Sequence, residues 1–315
     1  MRYDGQRVMV TGGAGFIGSF LVERLIDSKC AEVIVLDNFS RGRRENLSAC
    51  QNRIRLVEGD IRDHRQVASV MQGVDTVFHL AAQSQVRAAL ADPRYCFETN
   101  VAGTFAVLEA AREAQIRRLV FASSREVYGE PAAVPVPEEA PLCAKNGYGL
   151  SKVAGELYCR QYSGSFEVSV LRLANVYGPR DFGRVIPIFV RQALEGKPLT
   201  LIGGKQICDF VHVDTVVDML LKVGLGPARG PMNIGSGLPV SLVELAERII
   251  GLSNSAASLV YQPEIKEEVA QFVADVSKAQ RELGLITPSD PLFGLHLVME
   301  HISRQIPTLP GRGIS

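Results

Sequence analysis

Several classes of protein are excluded by what this sequence of 315 residues lacks. It has no excess charge of either sign, since 34 Lys and Arg residues balance 34 Asp and Glu residues. A chain without a basic field is not typical of nucleic-acid binding, and one without an acidic excess is not typical of disorder. It also has no apolar run long enough to span a bilayer and no hydrophobic secretory signal. We therefore expect a cytoplasmic protein that binds a small molecule, and neither nucleic acid nor a membrane.

Patterns typical of metal sites are missing as well. The six cysteines are widely separated and form no Cys-x-x-Cys pair, which is the arrangement of many zinc sites and redox dithiols. Their separation favours reduced thiols. We predict no metal site, because the five histidines lack the spacing of metal ligands: His64, His79, His212, His296 and His301. His79, at the end of an apolar segment, is expected to be structural.

The sequence does contain short apolar segments that alternate with stretches of helical spacing. The segments rich in Val, Ile, Leu and Phe cover residues 7–11, 32–37, 54–58, 76–80, 119–123 and 166–173. The stretches of helical spacing cover residues 17–28, 65–71, 97–114 and 148–162. Near-continuous apolar strands are what a parallel sheet buried on both faces requires. The alternation therefore predicts an α/β fold with a doubly wound parallel sheet.

The alternation becomes irregular after Asn175, which indicates a smaller C-terminal lobe over the sheet. Helices are expected there at residues 186–195, 214–223, 242–250 and 292–303. Residues 129–141 contain four prolines, and because proline interrupts regular structure we expect a loop across the carboxyl edge of the sheet. We assign residues 1–174 and 210–237 to a cofactor-binding domain, and residues 175–209 and 238–315 to a substrate-binding lobe.

Three glycines, Gly12, Gly15 and Gly18, lie between the first predicted strand and the first predicted helix. Missing side chains let the backbone approach a pyrophosphate, whose charge the helix N-terminus favours. The second strand ends at Asp37, where a carboxylate can accept hydrogen bonds from a ribose and repel a 2′-phosphate. The pattern predicts NAD as the cofactor, although three nearby arginines leave NADP open: Arg41, Arg43 and Arg44.

Tyr148 and Lys152 lie four residues apart at the start of a predicted helix, so both side chains share one face. A free tyrosine titrates near about pH 10, but a nearby ammonium and the positive nicotinamide both favour the phenolate. Such a phenolate can take a proton from a substrate hydroxyl while hydride leaves for NAD. We predict a redox centre at this pair.

Ser124 and Glu126 follow the fifth predicted strand, at the edge where open parallel sheets bind ligands. Ser124 can hydrogen-bond the reacting oxygen. Glu126 is a candidate acid or base, and the alternative is a solvated loop charge.

The motifs together resemble the extended short-chain dehydrogenases, specifically the NAD-dependent epimerase/dehydratase family that remodels sugar nucleotides. The matches span almost the whole chain: TGGAGFIG at 11–18, LDNFSRG at 36–42, GDIRD at 59–63, HLAAQ at 79–83, TNVAGT at 99–104, SSREVYG at 123–129, YGLSK at 148–152, RLANVYGPR at 172–180, DFVHVDT at 209–215 and NIGSG at 233–237. The resemblance implies a Rossmann fold and tightly held NAD that is reduced and reoxidised within one catalytic cycle.

The resemblance also implies particular contacts. The catalytic residues would be Ser124, Glu126, Tyr148 and Lys152. Cofactor contacts would fall on Gly12, Gly15, Phe16, Ile17, Gly18, Asp37, Asn38, Asp60, Ile61, Leu80, Ala81, Ala82, Asn100, Tyr148 and Lys152. Substrate contacts would fall on Ser84, Arg87, Asn175, Arg184, Val185 and Cys208. Family members often form homodimers through two helices per subunit, here the stretches 97–114 and 148–162.

Two departures from the family bear on the substrate. Members that bind nucleotide sugars usually carry an arginine where this chain has Cys208, and commonly a second one in the stretch that here reads PEIKEEV at 263–269. Arginine is the residue best suited to bidentate phosphate recognition. We therefore hypothesise a substrate without an ordinary nucleoside diphosphate, such as a nucleoside or monophosphate, with Arg87, Arg180 or Arg184 as alternative sources of the missing charge.

Glu126 bears on the reaction. Simple 4-epimerases of the family usually carry a small or neutral residue at this position, whereas dehydratases and decarboxylases carry a glutamate. Decarboxylases of sugar acids also rely on the arginine replaced by Cys208. We therefore favour elimination of water from a transiently oxidised sugar or nucleoside. The alternatives are a nucleotide-sugar 4-epimerase and an NAD-binding regulatory protein without turnover.

Overall fold

The computed structural model describes residues 2–227 and 230–306. The strands are β1 Arg7–Thr11, β2 Glu32–Asp37, β3 Arg55–Glu58, β4 Thr76–His79, β5 Arg118–Ser124, β6 Glu167–Leu173, β7 Asn175–Tyr177, β8 Leu199–Ile202, β9 Ile207–His212, β10 Met232–Ile234, β11 Pro239–Ser241 and β12 Leu259–Gln262. The α-helices are α1 Phe16–Asp27, α2 His64–Val70, α3 Val86–Ala91, α4 Pro93–Phe97, α5 Gly103–Glu113, α6 Gly147–Tyr162, α7 Val185–Leu194, α8 Val213–Leu225, α9 Leu242–Ser253, α10 Ser277–Leu283 and α11 Leu295–Ser303.

Seven of the strands form one parallel sheet in the order β10-β6-β5-β4-β1-β2-β3. Its strands β4 and β5 are buried along their whole length, and β1 and β6 beside them are buried after the first residue. Apolar clusters pack on both faces, one around Val8 and Val120 and the other around Met9 and Phe121. Alternate residues of a strand point to opposite faces, so both faces need apolar cover. The predicted doubly wound parallel sheet is confirmed.

One helix extends further than the sequence indicated. The stretch predicted at 97–114 is preceded by α4, and a π-helical turn over Glu98–Ala102 joins α4 to α5 without a break. Asp92 caps α4 by accepting a hydrogen bond from the Tyr95 amide at 2.9 Å, and Pro93 occupies the first turn. The short helices α3 and α10 had no prediction, because six or seven residues carry too little periodicity.

A second group of elements lies beyond the sheet's carboxyl edge. It contains the sheets β11-β9-β7 and β12-β8 and the helices α7, α9 and α11, around a core that includes Phe189, Leu245 and Leu295. Strand β9 crosses residue 209, where we divided the two lobes, and β10 returns the chain to the main sheet. The division itself remains a proposal, and residues 1, 228–229 and 307–315 lie outside the described residues.

The proline-rich stretch 129–141 has no helix or long strand. Its Val136 amide donates to Val273 O at 2.8 Å, and its Val136 carbonyl accepts from the Asp275 amide at 2.9 Å. The loop is thereby tied to the C-terminal part of the chain. Across the described residues, no helix is long and apolar enough to cross a membrane.

Candidate active site

The carboxyl ends of β1, β2, β4 and β5 open into a cavity of about 990 Å³ between the main sheet and the second group of elements. Parallel strands all end at the same edge, so residues that are far apart in sequence meet there. The four candidate catalytic residues all line this cavity, as do the six candidate substrate residues. The functional roles of these residues remain proposals, but their common location is a property of the fold.

The glycine turn forms the cavity wall at the end of β1. A Cβ on Gly18 would lie 2.2 Å from the Gly12 carbonyl oxygen, so only glycine allows this approach of helix to turn. Gly15 at the start of α1 offers no side chain to cap the first amides, and the first turn has no acidic residue. These amides are thus available to an anion at the positive end of the helix dipole.

Asp37 lies at the end of β2, next to this turn, and is buried. Its Oδ2 accepts a hydrogen bond from the Ala14 amide and its Oδ1 one from the Phe39 amide, both at 2.9 Å. Burial raises the pKa of Asp37, and the two backbone hydrogen bonds oppose that shift. The two donors hold the carboxylate in one orientation against the cavity, as a ribose-binding residue requires.

The arginines that left NADP open have other partners. Arg41 and Arg43 lie over the Phe182 ring, with their guanidinium carbons 4.9 Å and 4.6 Å from its centroid. Arg44 pairs with Glu58.

Two of the predicted cofactor residues do not line the cavity. Asn100 is buried behind the wall, where its Oδ1 accepts from the Gln83 amide at 2.7 Å and its Nδ2 donates to Ser151 Oγ at 2.9 Å. Its side chain positions the loop after β4. Asp60 pairs with Arg62 at 2.9 Å and accepts a hydrogen bond from Asn38 Nδ2 at 2.9 Å. The other predicted cofactor residues lie on the wall.

Tyr148 and Lys152 enter the cavity from the first turns of α6. Asn146 caps this helix by accepting from the Gly149 amide at 2.9 Å. Further along, Glu156 pairs with Arg172 of β6 at 2.7 Å, and both side chains are buried. The cap and the ion pair together fix how α6 lies on the sheet, and so where its inward face presents Tyr148 and Lys152.

The electrostatics of this pair differ from the prediction. Burial raises the pKa of Tyr148, although a hydrogen bond with Ser124 and the charge of Arg184 lower it. The Lys152 Nζ donates to Ala122 O at 2.9 Å and lies 4.8 Å from the centroid of the Phe121 ring. Burial lowers the pKa of Lys152 to about 8. The predicted preference for the phenolate also depends on the positive nicotinamide, so it stays a prediction for the NAD-bound enzyme.

His79 lies beneath this centre, at the end of β4. Its Nδ1 is 2.8 Å from Thr11 Oγ1 and its Nε2 is 3.0 Å from Thr104 Oγ1. Burial lowers its pKa to about 3, so the ring is neutral and joins two elements. No group of three or more His, Cys, Asp or Glu residues within 2–227 and 230–306 is arranged to hold a metal ion.

Glu126 is buried, so the alternative of a solvated loop charge is wrong. Its Oε2 accepts from Asn146 Nδ2 at 2.8 Å, and its Oε1 lies 2.9 Å from Arg125 Nη2. Its amide donates to Ser124 Oγ at 3.2 Å. A buried carboxylate is stable only with such donors, and these hold it close to Ser124 and Tyr148.

The candidate substrate residues surround the rest of the cavity. Arg184 pairs with Asp181 at 2.8 Å and reaches Ser84 Oγ at 3.5 Å, while Val185 begins α7. Arg87 pairs with Glu268 at 3.0 Å. Arg180, the third alternative source of positive charge, pairs with Glu23 and does not line the cavity.

Sequence reasoning missed several charged residues of the wall, namely Asp92, Asp181, Glu268 and Arg125. The buried cation among them is Arg125. Its Nε donates to Asn175 Oδ1 at 3.0 Å, and the Asn175 side chain also hydrogen-bonds the Cys208 thiol. Burial raises the pKa of that thiol, and the charge of Arg125 opposes the shift. The sequence signal was an arginine between the two candidate catalytic residues Ser124 and Glu126.

Comparison with known proteins agrees with this geometry. The model of the NAD-dependent epimerase/dehydratase family matches residues 8–235. A UDP-glucose 4-epimerase of Mycolicibacterium smegmatis is 36% identical over 291 residues, which cover 88% of this chain and 92% of that protein. UDP-glucuronic acid decarboxylase 3 of Arabidopsis thaliana is 34% identical over 293 residues, covering 88% of this chain and 83% of that protein.

The fold is also similar to that of solved enzymes. The crystal structure of a dTDP-glucose 4,6-dehydratase of Streptomyces venezuelae with NAD bound superposes with a TM-score of 0.90. It is 34% identical, and the match covers 95% of this chain and 97% of that one. The open turn, the uncapped helix and the oriented Asp37 fit the NAD on which the family depends. The chain belongs to the NAD-dependent epimerase/dehydratase family.

Proposed function

We propose that this enzyme transiently oxidises a hydroxyl of a nucleotide-linked sugar and then eliminates water from the neighbouring carbons. The observation that carries the proposal is Glu126, a buried carboxylate on the cavity wall beside Ser124 and Tyr148. Oxidation at one carbon acidifies the proton on the next, and a held carboxylate can remove that proton.

NAD would be held by the glycine turn and the amides of α1 at its pyrophosphate, by Asp37 at its adenosine ribose, and by Tyr148 and Lys152 near its reactive end. When bound, it supplies the hydride acceptor and later the hydride donor. Tyr148 takes the proton of the sugar hydroxyl during oxidation and returns it at the end. Ser124 hydrogen-bonds the same oxygen, and Lys152, whose Nζ donates to Ala122 O, contributes a buried cation to the cavity wall.

Glu126 then removes the proton next to the carbonyl. Arg125 and Asn146 hold the carboxylate in one orientation, and we assign it the role of the base. The proton that it gains accompanies the hydroxyl that leaves as water, which balances the elimination.

The test is incubation of wild type and Glu126→Gln with a panel of nucleotide sugars, scored by mass spectrometry. Wild type should give a product lighter by one water. Glu126→Gln should lose elimination yet still bind NAD and still develop transient NADH absorbance with the substrate. Glu139→Gln is the matched control, because Glu139 is an exposed carboxylate of the proline-rich loop. Full water loss by Glu126→Gln would refute the assignment.

A second candidate is a nucleotide-sugar 4-epimerase that uses Ser124, Tyr148 and Lys152. Both Glu126 oxygens already have protein partners, which fits a purely structural role for this carboxylate. The similarity to 4-epimerases also favours this candidate. An epimerase gives an isomer of unchanged mass, so the same assay separates the two reactions.

We also propose a homodimer formed by α4, α5 and α6. Their outer faces carry exposed apolar side chains, with Leu150 63% and Phe97 59% exposed, followed by Leu157, Phe105 and Tyr158. The Phe105 and Tyr158 rings lie 5.4 Å apart, so the two helices form one surface. An apolar surface of this kind is typical of an interface between subunits.

A further inference from the structure

Arg125 is a buried cation that the proposed chemistry does not use as a substrate contact. Its side chain is 13% exposed, and its guanidinium carbon lies 5.7 Å from the centroid of the Phe272 ring. Nε donates to Asn175, and Nη2 pairs with Glu126. Among residues 2–227 and 230–306, Nη1 has no hydrogen-bond partner and is not fully buried, so it retains access to the cavity.

The location of this guanidinium matters because of its neighbour Cys208. The side-chain amide of Asn175 hydrogen-bonds both the Arg125 guanidinium and the Cys208 thiol, so these two groups are neighbours. Position 208 itself carries no charge, since burial keeps the thiol protonated. The positive charge in this region therefore comes from the turn after β5.

The other cations of the wall have partners of their own, and Arg41 donates to Phe182 O at 3.4 Å. Arg87 pairs with Glu268 and Arg184 with Asp181, while Lys152 Nζ is bound by a backbone carbonyl. The charged groups that face Arg125 are the carboxylates of Glu126 and Glu268. They raise its pKa, whereas burial lowers it, and the guanidinium remains charged.

The position of Arg125 along the cavity indicates which part of a nucleotide sugar it would contact. Arg125 directly follows Ser124, and it hydrogen-bonds Asn175, which also contacts Cys208 and pairs with Phe210 of β9, so it links the proposed reacting end to the β9 wall of the cavity. A nucleotide sugar that places its sugar at Tyr148 and its base against the lobe has its diphosphate between them. At this point a guanidinium with a free N–H group can donate a charge-assisted hydrogen bond to a phosphate oxygen.

We propose that Arg125 binds the diphosphate of the substrate, in place of the charge that Cys208 lacks. The proposal rests on the proposed function, because it takes the substrate to be a nucleotide sugar. It replaces our hypothesis of a substrate without a diphosphate, whose premise was the lack of an arginine at position 208 and in the stretch 263–269.

The experiment measures binding of UDP, dTDP, GDP and CDP, and of the matching nucleosides, to NAD-loaded protein by calorimetry. At least one diphosphate should bind wild type more tightly than its nucleoside. Arg125→Ala should weaken that diphosphate by roughly 10- to 150-fold, the range for a charged hydrogen bond, and leave the nucleoside unchanged. Arg125→Lys should give an intermediate loss, because a point charge keeps attraction without the planar fork.

Arg180→Ala is the matched control, since Arg180 is a partly buried, ion-paired arginine off the cavity wall. It should leave diphosphate affinity unchanged. The double variant Arg125→Ala with Cys208→Arg should regain affinity, because it moves the guanidinium back to β9. Unchanged NAD binding shows that each variant is folded.

Three results would overturn the proposal. They are a wild type that binds no diphosphate better than its nucleoside, an Arg125→Ala variant with full diphosphate affinity, and an Arg125→Ala variant that loses affinity for UDP-glucuronate but not for UDP when both are titrated in the same way. The last would place Arg125 on a sugar carboxylate. Binding is measured without turnover, so failure of the proposed function appears separately, as intact diphosphate binding without any product from the panel.

Discussion

The proposed cofactor end of the cavity is built mainly from backbone, whereas the proposed substrate end is built from long side chains of separate segments. At the cofactor end, a turn between β1 and α1 presents free amides, and Asp37 is held by two further amides. At the proposed substrate end, Arg125 comes from the turn after β5, Asn175 from β7 and Cys208 from β9, and the three meet through side-chain contacts.

This difference affects how each end tolerates change. A backbone site depends on close approach, so an added methyl group is enough to destroy it. In a site built from side chains, a residue of a different strand can supply the same functional group at the same point in space. Even a small substitution at the proposed cofactor end should therefore abolish binding. At the proposed substrate end, a second substitution should be able to restore binding that a first one removes.

The largest effect is expected from Gly18→Ala, which breaks the cofactor end. The new Cβ would lie 2.2 Å from the Gly12 carbonyl oxygen, and overpacking of this kind costs about 1–3 kcal/mol of stability. NAD binding measured by calorimetry should become undetectable. Gly164→Ala is the control, since a Cβ there meets nothing within 4 Å. Wild-type NAD affinity in Gly18→Ala would contradict the proposal that NAD binds by close approach to the backbone of the glycine turn.

Tyr148→Phe changes a residue between the proposed cofactor end and the proposed substrate end of the cavity. Loss of the phenol removes the proton acceptor for the sugar hydroxyl, so kcat should fall by about 10²- to 10⁴-fold. Affinity for NAD and for the nucleotide should change little, because both ends of the cavity remain intact. Steady-state kinetics combined with calorimetry would check this split, and retention of full turnover would remove Tyr148 from the chemistry.

Lys152→Met should increase stability while it abolishes activity. Burial lowers the folded-state pKa of Lys152 from 10.5 to about 8, so folding disfavours the ammonium and this group destabilises the protein most below pH 8. The variant should gain on the order of 3 kcal/mol at most at pH 7. Its advantage should shrink as pH rises from 8 towards 10.5, where the unfolded chain also loses the proton.

Denaturant unfolding at several pH values measures this trend. Lys29→Met, which changes an exposed lysine, should show no such dependence on pH. A wild-type protein that is more stable than Lys152→Met at pH 7 would contradict the expected sign.

The smallest effect on either end of the cavity is expected from Leu150→Asp. Leu150 lies on the outward face of α6, opposite Tyr148 and Lys152, and is 63% exposed. A charge there should dissociate the proposed homodimer, since a buried unpaired carboxylate is costly. Analytical ultracentrifugation would detect the change in mass, while affinity for NAD should stay as in wild type. A monomeric wild type would end the proposal.

The sequence alone was sufficient for the family, the doubly wound sheet and the glycine turn with Asp37. These depend on local features: apolar strands, glycines within one turn, and a carboxylate at a strand end. It also indicated Tyr148 and Lys152, because their spacing along one helix determines a shared face. Short-range patterns of this kind follow from backbone geometry, which few residues specify.

Only the tertiary structure decided the rest. It turned Lys152 towards Ala122 O, so burial, and not the ammonium, dominates the pKa of Tyr148. It showed that Asn100 serves the loop after β4 and that Glu126 is buried between Asn146 and Arg125. It placed Arg125 beside Cys208, although 83 positions separate them in the chain. Long side chains from distant strands converge only when the sheet forms, so no local pattern records where their charged ends meet.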